Sequence, residues 1–355
     1  MKKSKLFILL FLFLFPINVN ALSASSLTVM DMDTKRVLYS YNQNEKRLIA
    51  SITKIMTSLV ALNNSNIKDI VTMDESILKS YGSGIYVEVG EEMSLENLLY
   101  GLMLRSGNDA AIQIANYVGG SIEGFVKLMN ETAKNLGMKN TTFLNSSGLE
   151  ENNGEGNMST SYDMALLMSE AMKNEAFRKI VGTEEKIVKT NYKTYQWFNK
   201  NKLLKNYEYC TGGKTGFTEK ARRTLVTTAS KDNMNLVVVT LNDPNDFQDH
   251  EDLYNEYFKK YKSYEVLSEE EKFENDKYYI KNGVSLTLTS DEYKNLKKDV
   301  VLYENNVSDI VGYVRVNLNN EELIREYIYE KHEEEVIKKE SFFDKIINFF
   351  KSMLG

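Results

Sequence analysis

The spacing of apolar residues changes at Ser51, and this change restricts the fold more than any bulk property of the chain. Before it, Leu27 and Val29 alternate with Ser26 and Thr28, and Val37, Tyr39 and Tyr41 alternate with Ser40 and Asn42 beyond the polar stretch Asp33-Thr34-Lys35-Arg36. Only Leu38 breaks the alternation. Period two on both sides of a polar turn predicts a hairpin over residues 26–42, turning near Asp33 to Lys35. From Ser51 to Asn63 the positions Ile55, Leu59 and Leu62 share one helical face. Strand thus gives way to helix with a serine at the junction.

Residues 95–104, 109–118, 122–136 and 162–172 also carry apolar residues three and four apart, so the middle of the chain predicts a helical lobe. After it, Thr224 to Ser230 and Leu236 to Leu241 are rich in β-branched residues and bracket the turn Lys231-Asp232-Asn233. The two hairpins are expected to share one sheet, giving an α/β (α+β) fold with an antiparallel sheet flanked by helices over residues 22–264. Beyond Glu269-Glu270-Glu271, segments such as Val284 to Leu288 and Val311 to Val316 predict a small β-rich domain over 265–332.

Both ends of the chain suggest export. Met1-Lys2-Lys3-Ser4-Lys5, the apolar run Leu6 to Phe15, and Val19 with Ala21 form a basic region, a hydrophobic region and a small-residue cleavage site. Residues 1–21 read as a signal peptide. A cut after Ala24 fits less well, because Leu22 would stand two positions before it; an uncleaved N-terminal anchor is the other alternative. At the far end, residues 333–355 read as a charged spacer and a helix. Placed at 100° intervals, Phe342, Phe343, Ile346, Ile347, Phe349, Phe350, Met353 and Leu354 occupy an arc of about 160°. Such a helix lies in a membrane surface, being shorter than the about 20 residues needed to span one, or else docks on its own domain.

Composition narrows the chemistry. With 44 basic and 50 acidic residues the net charge is −6, which gives no support for capture of nucleic acid by the whole body. Cys210 is the single cysteine, so no internal disulfide can form. His250 and His332 are the only histidines and sit in no ligand pattern, so neither a metal nor another cofactor is expected.

Three short motifs remain: Ser51-Ile52-Thr53-Lys54, Ser106-Gly107-Asn108 and Lys214-Thr215-Gly216. The first pattern recurs at Ser65 to Lys68 and Ser76 to Lys79, so it is weak alone; only at Ser51 does it open a helix with the other two downstream. A serine hydroxyl is a poor nucleophile until a base takes its proton, and three residues on along a helix Lys54 lies on the same face. Lysine serves as that base only when neutral, which requires burial and a second cation, a role open to Lys214. Ser106 and Asn108 offer a proton relay and an orienting amide. Lys214 and Thr215 offer a charge and a hydroxyl to a substrate carboxylate, and Gly216 clears the strand edge for a peptide. The backbone amides of Ser51 and Phe217 are the expected oxyanion donors. Taken singly, Ser51 could be an N-cap, Lys54 a solvated lysine, and the other motifs an ordinary loop and turn.

These residues resemble those of the penicillin-binding D-alanyl-D-alanine carboxypeptidases, low-molecular-mass serine peptidases with a serine β-lactamase/transpeptidase-like fold. The likeness extends through Ala50 to Thr57, Leu104 to Ala111, Leu136 to Thr141 and Gly213 to Thr218, and covers roughly residues 25–265. It implies acyl-enzyme formation at Ser51, Lys54 as proton acceptor, Ser106 and Asn108 in the cleft, and Lys214 on the substrate. It further implies removal of the terminal D-alanine from peptidoglycan stem peptides, covalent inhibition by β-lactams, and a peripheral place on the outer face of the cytoplasmic membrane. Two departures stand out. Asn235 occupies a position where many relatives carry an arginine that helps hold the substrate carboxylate, and Arg222-Arg223 replaces a Gly-Tyr or similar pair. Arg222 or Arg223 is the candidate substitute. The rival readings are a class A-like β-lactamase, whose Glu-x-x-Leu-Asn signature is absent between Asn108 and Lys214, and a non-catalytic cell-wall-binding scaffold.

Overall fold

Leu236-Val237-Val238-Val239-Thr240-Leu241 is buried along its whole length, so it requires cover on both faces of its sheet. The computed structural model describes residues 22–330, apart from 152, 270, 274–276 and 305–308. The expected leader over 1–21 and the spacer and helix over 333–355 lie outside the described residues.

The main sheet has five strands, β1 (Ser26–Asp31), β2 (Val37–Tyr41), β3 (Cys210–Thr218), β4 (Arg222–Lys231) and β5 (Met234–Leu241), in the antiparallel order β2-β1-β5-β4-β3. The two hairpins share one sheet because β1 pairs directly with β5. Asp232 and Asn233 both take positive φ, the backbone of a tight two-residue hairpin turn, which residues with short polar side chains tolerate.

Register decides which residues face which layer. Met30 opposes Val237, and Val226 and Thr28 both oppose Val239, so these five face one way. On that face lies the helical lobe: α1 (Lys54–Asn64), α2 (Asn108–Gly119), α3 (Ile122–Asn135) and α4 (Ser161–Ala171). Leu59, Ile114, Phe125 and Met164 belong to the same buried cluster as Val237 and Val239, each such side chain contributing about 1.5–3 kcal/mol. Thr227, Val238 and Thr240 face the other way, where α5 (Asp246–Lys260) covers β4 and β5.

His250 on α5 is fully buried, its ring nitrogens 2.7 Å from Thr227 Oγ1 and 3.0 Å from Thr240 Oγ1. Burial lowers its pKa to about 3, so it is neutral at pH 7 and closed off from substrate. Helix starts follow the local sequence: Ser121 Oγ caps α3 through Gly124 N at 3.0 Å, and Thr160 Oγ1 caps α4 through Asp163 N at 3.0 Å.

The chain divides into two compact units between Lys260 and Tyr261, four residues ahead of the expected boundary. In the second, Lys262–Leu267 pairs with Val284–Leu288. A five-stranded sheet runs in the order Lys272–Phe273, Tyr278–Tyr279, Glu321–Glu330, Ile310–Leu318, Leu296–Leu302. Leu267, Ile280, Leu288, Val314, Val316 and Ile328 form its core. Among the described residues no helix is long and apolar enough to cross a membrane.

Candidate active site

The junction that the sequence places at Ser51 is a 3-10 turn, Ala50–Thr53, and α1 begins only at Lys54. Ser51 is therefore not the N-cap of an α-helix, since a tight turn carries it past the end of the strand segment first. Ala50 sits at φ 48°, a left-handed conformation that costs a residue with a Cβ about 1–2 kcal/mol. Such strain persists only where the surroundings enforce it. Gly148 is one enforcing neighbour: it has φ 84°, and a Cβ there would stand 2.0 Å from the Ala50 carbonyl oxygen.

Lys54 is completely buried. Its Nζ lies 3.0 Å from Ser51 Oγ and donates to Asn108 Oδ1 at 2.8 Å and to the Ser147 carbonyl at 2.6 Å. Both carbonyl acceptors are themselves held. Asn108 Nδ2 donates to the Tyr81 carbonyl at 2.6 Å, which turns Oδ1 toward Lys54. Next to Ser147, the Ser146 carbonyl accepts from Thr57 Oγ1 at 2.7 Å, and Gly148 N donates to Asn145 Oδ1 at 2.8 Å.

Burial, then repulsion from Lys200, lowers the Lys54 pKa to about 7, against a smaller opposing pull from Asp109. Asp109 keeps its oxygens on the amides of Ile85, Tyr86 and Ala110 and does not touch the lysine. Lys200 thus acts on Lys54 beside Lys214, the amine to which the sequence pointed and which interacts with Lys54 in its turn. Lys200 is exposed, with Nζ 3.1 Å from Ser83 Oγ. Lys214 is buried, its Nζ donating to the Thr215 carbonyl at 2.7 Å. Its pKa falls well below normal through burial, then Lys54, then Lys200.

A cleft of about 400 Å³ is lined by Ser51, Ser106, Lys200, Thr215, Gly216, Phe217, Arg223 and Asp246, among others. Ser106, at φ 64°, ends the helical segment 95–105, whose final turn Gly101–Arg105 is π-helical. Lys214-Thr215-Gly216 lies inside β3, the edge strand. Gly216 is needed there, because a Cβ would stand 2.4 Å from Thr224 Oγ1 and 3.0 Å from the Ser51 amide nitrogen. The edge strand and the amide of Ser51 thereby come together.

Asn235 lies elsewhere. It opposes Ser230, seven residues along β4 from Arg223, which is about 23 Å of strand. Its amide bonds Asp33 Oδ2 at 2.9 Å and Ser230 Oγ at 2.7 Å. Arg223 is the arginine at the cleft: Nη2 meets Asp246 Oδ1 at 2.6 Å, while its buried Nε has no hydrogen-bond partner among the described residues. Lys200 and the Ser147 carbonyl were not found in the sequence. The run Asn145-Ser146-Ser147-Gly148 signals a turn there, but no local pattern says that a carbonyl of it meets Lys54. Among the described residues no group of three His, Cys, Asp or Glu side chains could hold a metal ion.

A serine paired with a lysine beside a sheet edge defines a class of serine acyl-transfer enzymes that dispense with the histidine and aspartate of the better-known triad. The family described as D-alanyl-D-alanine carboxypeptidase matches residues 16–245, and the chain belongs to it. D-alanyl-D-alanine carboxypeptidase DacF of Bacillus subtilis is 43% identical over 213 residues, 58% of this chain and 54% of the relative. The match therefore spans about half the length of that relative. D-alanyl-D-alanine carboxypeptidase DacC of Escherichia coli is 32% identical over 319 residues, 81% of this chain and 78% of the relative. Penicillin binding protein 5 from Haemophilus influenzae shares the fold, with a TM-score of 0.74 at 22% identity over 88% of this chain and 97% of that one.

The close seat of Gly216 on the Ser51 amide gives a test. Gly216→Ala is expected to push β3 off Ser51 and slow acylation by a fluorescent penicillin about 100-fold, since displacements near 1 Å cost that much. Acylation at the parent rate would show that the contact does not position the serine.

Proposed function

We propose that the chain is a serine-type D-alanyl-D-alanine carboxypeptidase that removes the terminal D-alanine from peptidoglycan stem pentapeptides through an acyl-enzyme on Ser51. The observation that carries this reading is the 3.0 Å approach of the buried Lys54 Nζ to Ser51 Oγ. A neutral amine has two N–H groups and one lone pair. With Asn108 Oδ1 and the Ser147 carbonyl taking the two N–H groups, the lone pair is left to Ser51.

Ser51 Oγ attacks the carbonyl carbon of the penultimate D-alanine as its proton passes to Lys54 Nζ. The oxyanion lies against the amides of Ser51 and Phe217. On collapse the C–N bond breaks, and the departing D-alanine nitrogen takes a proton from Lys54 by way of the Ser106 hydroxyl. Water then attacks the ester with Lys54 again accepting the proton, which frees the tetrapeptide and restores Ser51. Thr215 and Arg223, which both line the cleft, receive the substrate's terminal carboxylate, and Lys214 steadies the strand there through the Thr215 carbonyl. A β-lactam offers an acyl group to the same serine and remains attached to it.

The leader and the tail complete the reading. Residues 1–21 support export, and the apolar arc of residues 341–355 supports a peripheral hold on the outer face of the cytoplasmic membrane.

Three experiments test these assignments. Wild type is expected to bind a fluorescent penicillin covalently and to release D-alanine from a pentapeptide. Ser51→Ala should do neither; equal labelling of both proteins would remove Ser51 from the chemistry, and labelling without D-alanine release would remove the carboxypeptidase reading. The acylation rate should rise about tenfold per pH unit below about 7 and level off above it, because only neutral Lys54 accepts the proton. Lys200→Gln removes a neighbouring positive charge, so Lys54 should hold its proton to higher pH and the rising limb should move upward; a limb that stays in place would clear Lys200 of this role. Deleting residues 341–355 should release the mature protein from membranes, and unchanged partition would exclude the anchor.

A further inference from the structure

We infer that Glu150 selects for a diamino acid next to the scissile bond, its carboxylate receiving the free side-chain amine of the stem-peptide residue that precedes the two D-alanines; this rests on the carboxypeptidase reading. The direction of the substrate follows from β3. As the edge strand of the sheet it can accept a peptide as one more strand. With the terminal carboxylate at Thr215 and the scissile carbonyl at the Phe217 amide two residues further along β3, the peptide's N-terminal part must run on past Phe217. At about 3.4 Å per residue, the residue before the acylating D-alanine arrives beside Thr218.

Thr218 leads straight to Glu150. Its hydroxyl donates to Glu150 Oε1, and the Glu150 carbonyl accepts from the Tyr81 hydroxyl at 2.9 Å. The Tyr81 carbonyl in turn accepts from Asn108 Nδ2. Glu150 is therefore tied both to the strand the peptide would join and to the opposite wall that carries Asn108. Among the described residues no lysine or arginine is paired with its carboxylate. A carboxylate offers about four acceptor sites, so one hydroxyl from Thr218 leaves room for an ammonium.

Space is available as well. Behind Tyr81 and Glu150 opens a hollow of about 400 Å³, with Asn108, Ile122 and Glu151 among its walls, into which a long flexible side chain can extend. Glu151 differs from Glu150 in having no tie to the strand; its Oε1 accepts from Asn145 Nδ2 at 3.0 Å.

The test compares kcat/KM for D-alanine release from two pentapeptides ending in Lys-D-Ala-D-Ala, one with the lysine side-chain amine free and one with it acetylated. Wild type is expected to prefer the free amine by about five- to tenfold. Glu150→Gln keeps an acceptor for Thr218 but loses the charge, so its preference should fall toward one, while Glu151→Gln keeps the wild-type ratio. Penicillin acylation of each variant checks that the site is folded. Equal rates on both peptides in wild type, or an undiminished preference in Glu150→Gln, would overturn the role of Glu150 and leave the carboxypeptidase reading standing. No release from either peptide would instead overturn that reading itself.

Discussion

The site depends on one costly arrangement, a lysine placed entirely inside the protein with no carboxylate partner among the described residues. Burying an ammonium without a counter-charge is so unfavourable that the group gives up its proton instead. Here that response supplies the base. Asp109, the carboxylate that acts on Lys54, has its oxygens on three backbone amides, and so stabilises the ammonium only weakly. Had one of those oxygens turned to Lys54, the resulting pair would have kept the lysine charged and useless as an acceptor.

Holding Ser51 over that amine requires departures from regular structure. Ala50 is left-handed, Ser106 is left-handed, the helix before Ser106 widens into a π turn, and Gly148 and Gly216 each press on the backbone around Ser51. Ala50, Gly148 and Gly216 meet at the backbone of residues 50–51, and Ser106 lines the same cleft as Ser51. The surrounding core is what over-determines them, since the lobe helices and β5 are buried and close-packed.

Much of the scaffold was legible because it is written in periods of two and 3.6: both hairpins, the lobe helices and the strands Val284–Leu288 and Ile310–Leu318 fall where the apolar spacing puts them. The motif residues were legible because their chemistry is unusual at their spacing. What escaped depends on distant parts of the chain. Ser147 enters through a carbonyl, which has no side-chain signature, and Lys200 stands among several lysines with nothing local to single it out. The helix start at Ser51 was misplaced by three residues because a 3-10 turn and an α-helix share apolar spacing over so short a run. Asn235 looked relevant only through its sequence position; register puts it at the far end of β4, and the same register puts Arg223 at the cleft.

The base is better understood as a property of three amines than of Lys54 alone. Lys54, Lys200 and Lys214 all have lowered pKa values, and Lys54 and Lys200 act on Lys214 as Lys200 acts on Lys54. Repulsion is mutual, so loss of a proton at one site strengthens proton binding at the others, and the group titrates as a set. Geometry then decides where the neutral form is useful. Lys214 turns its amine to the Thr215 carbonyl and Lys200 reaches Ser83, whereas Lys54 is the amine 3.0 Å from Ser51 Oγ. A proton taken from Ser51 is thus received beside amines whose repulsion opposes its retention. That environment favours handing it on to the leaving nitrogen over retaining it, which is what an amine serving first as base and then as acid must do.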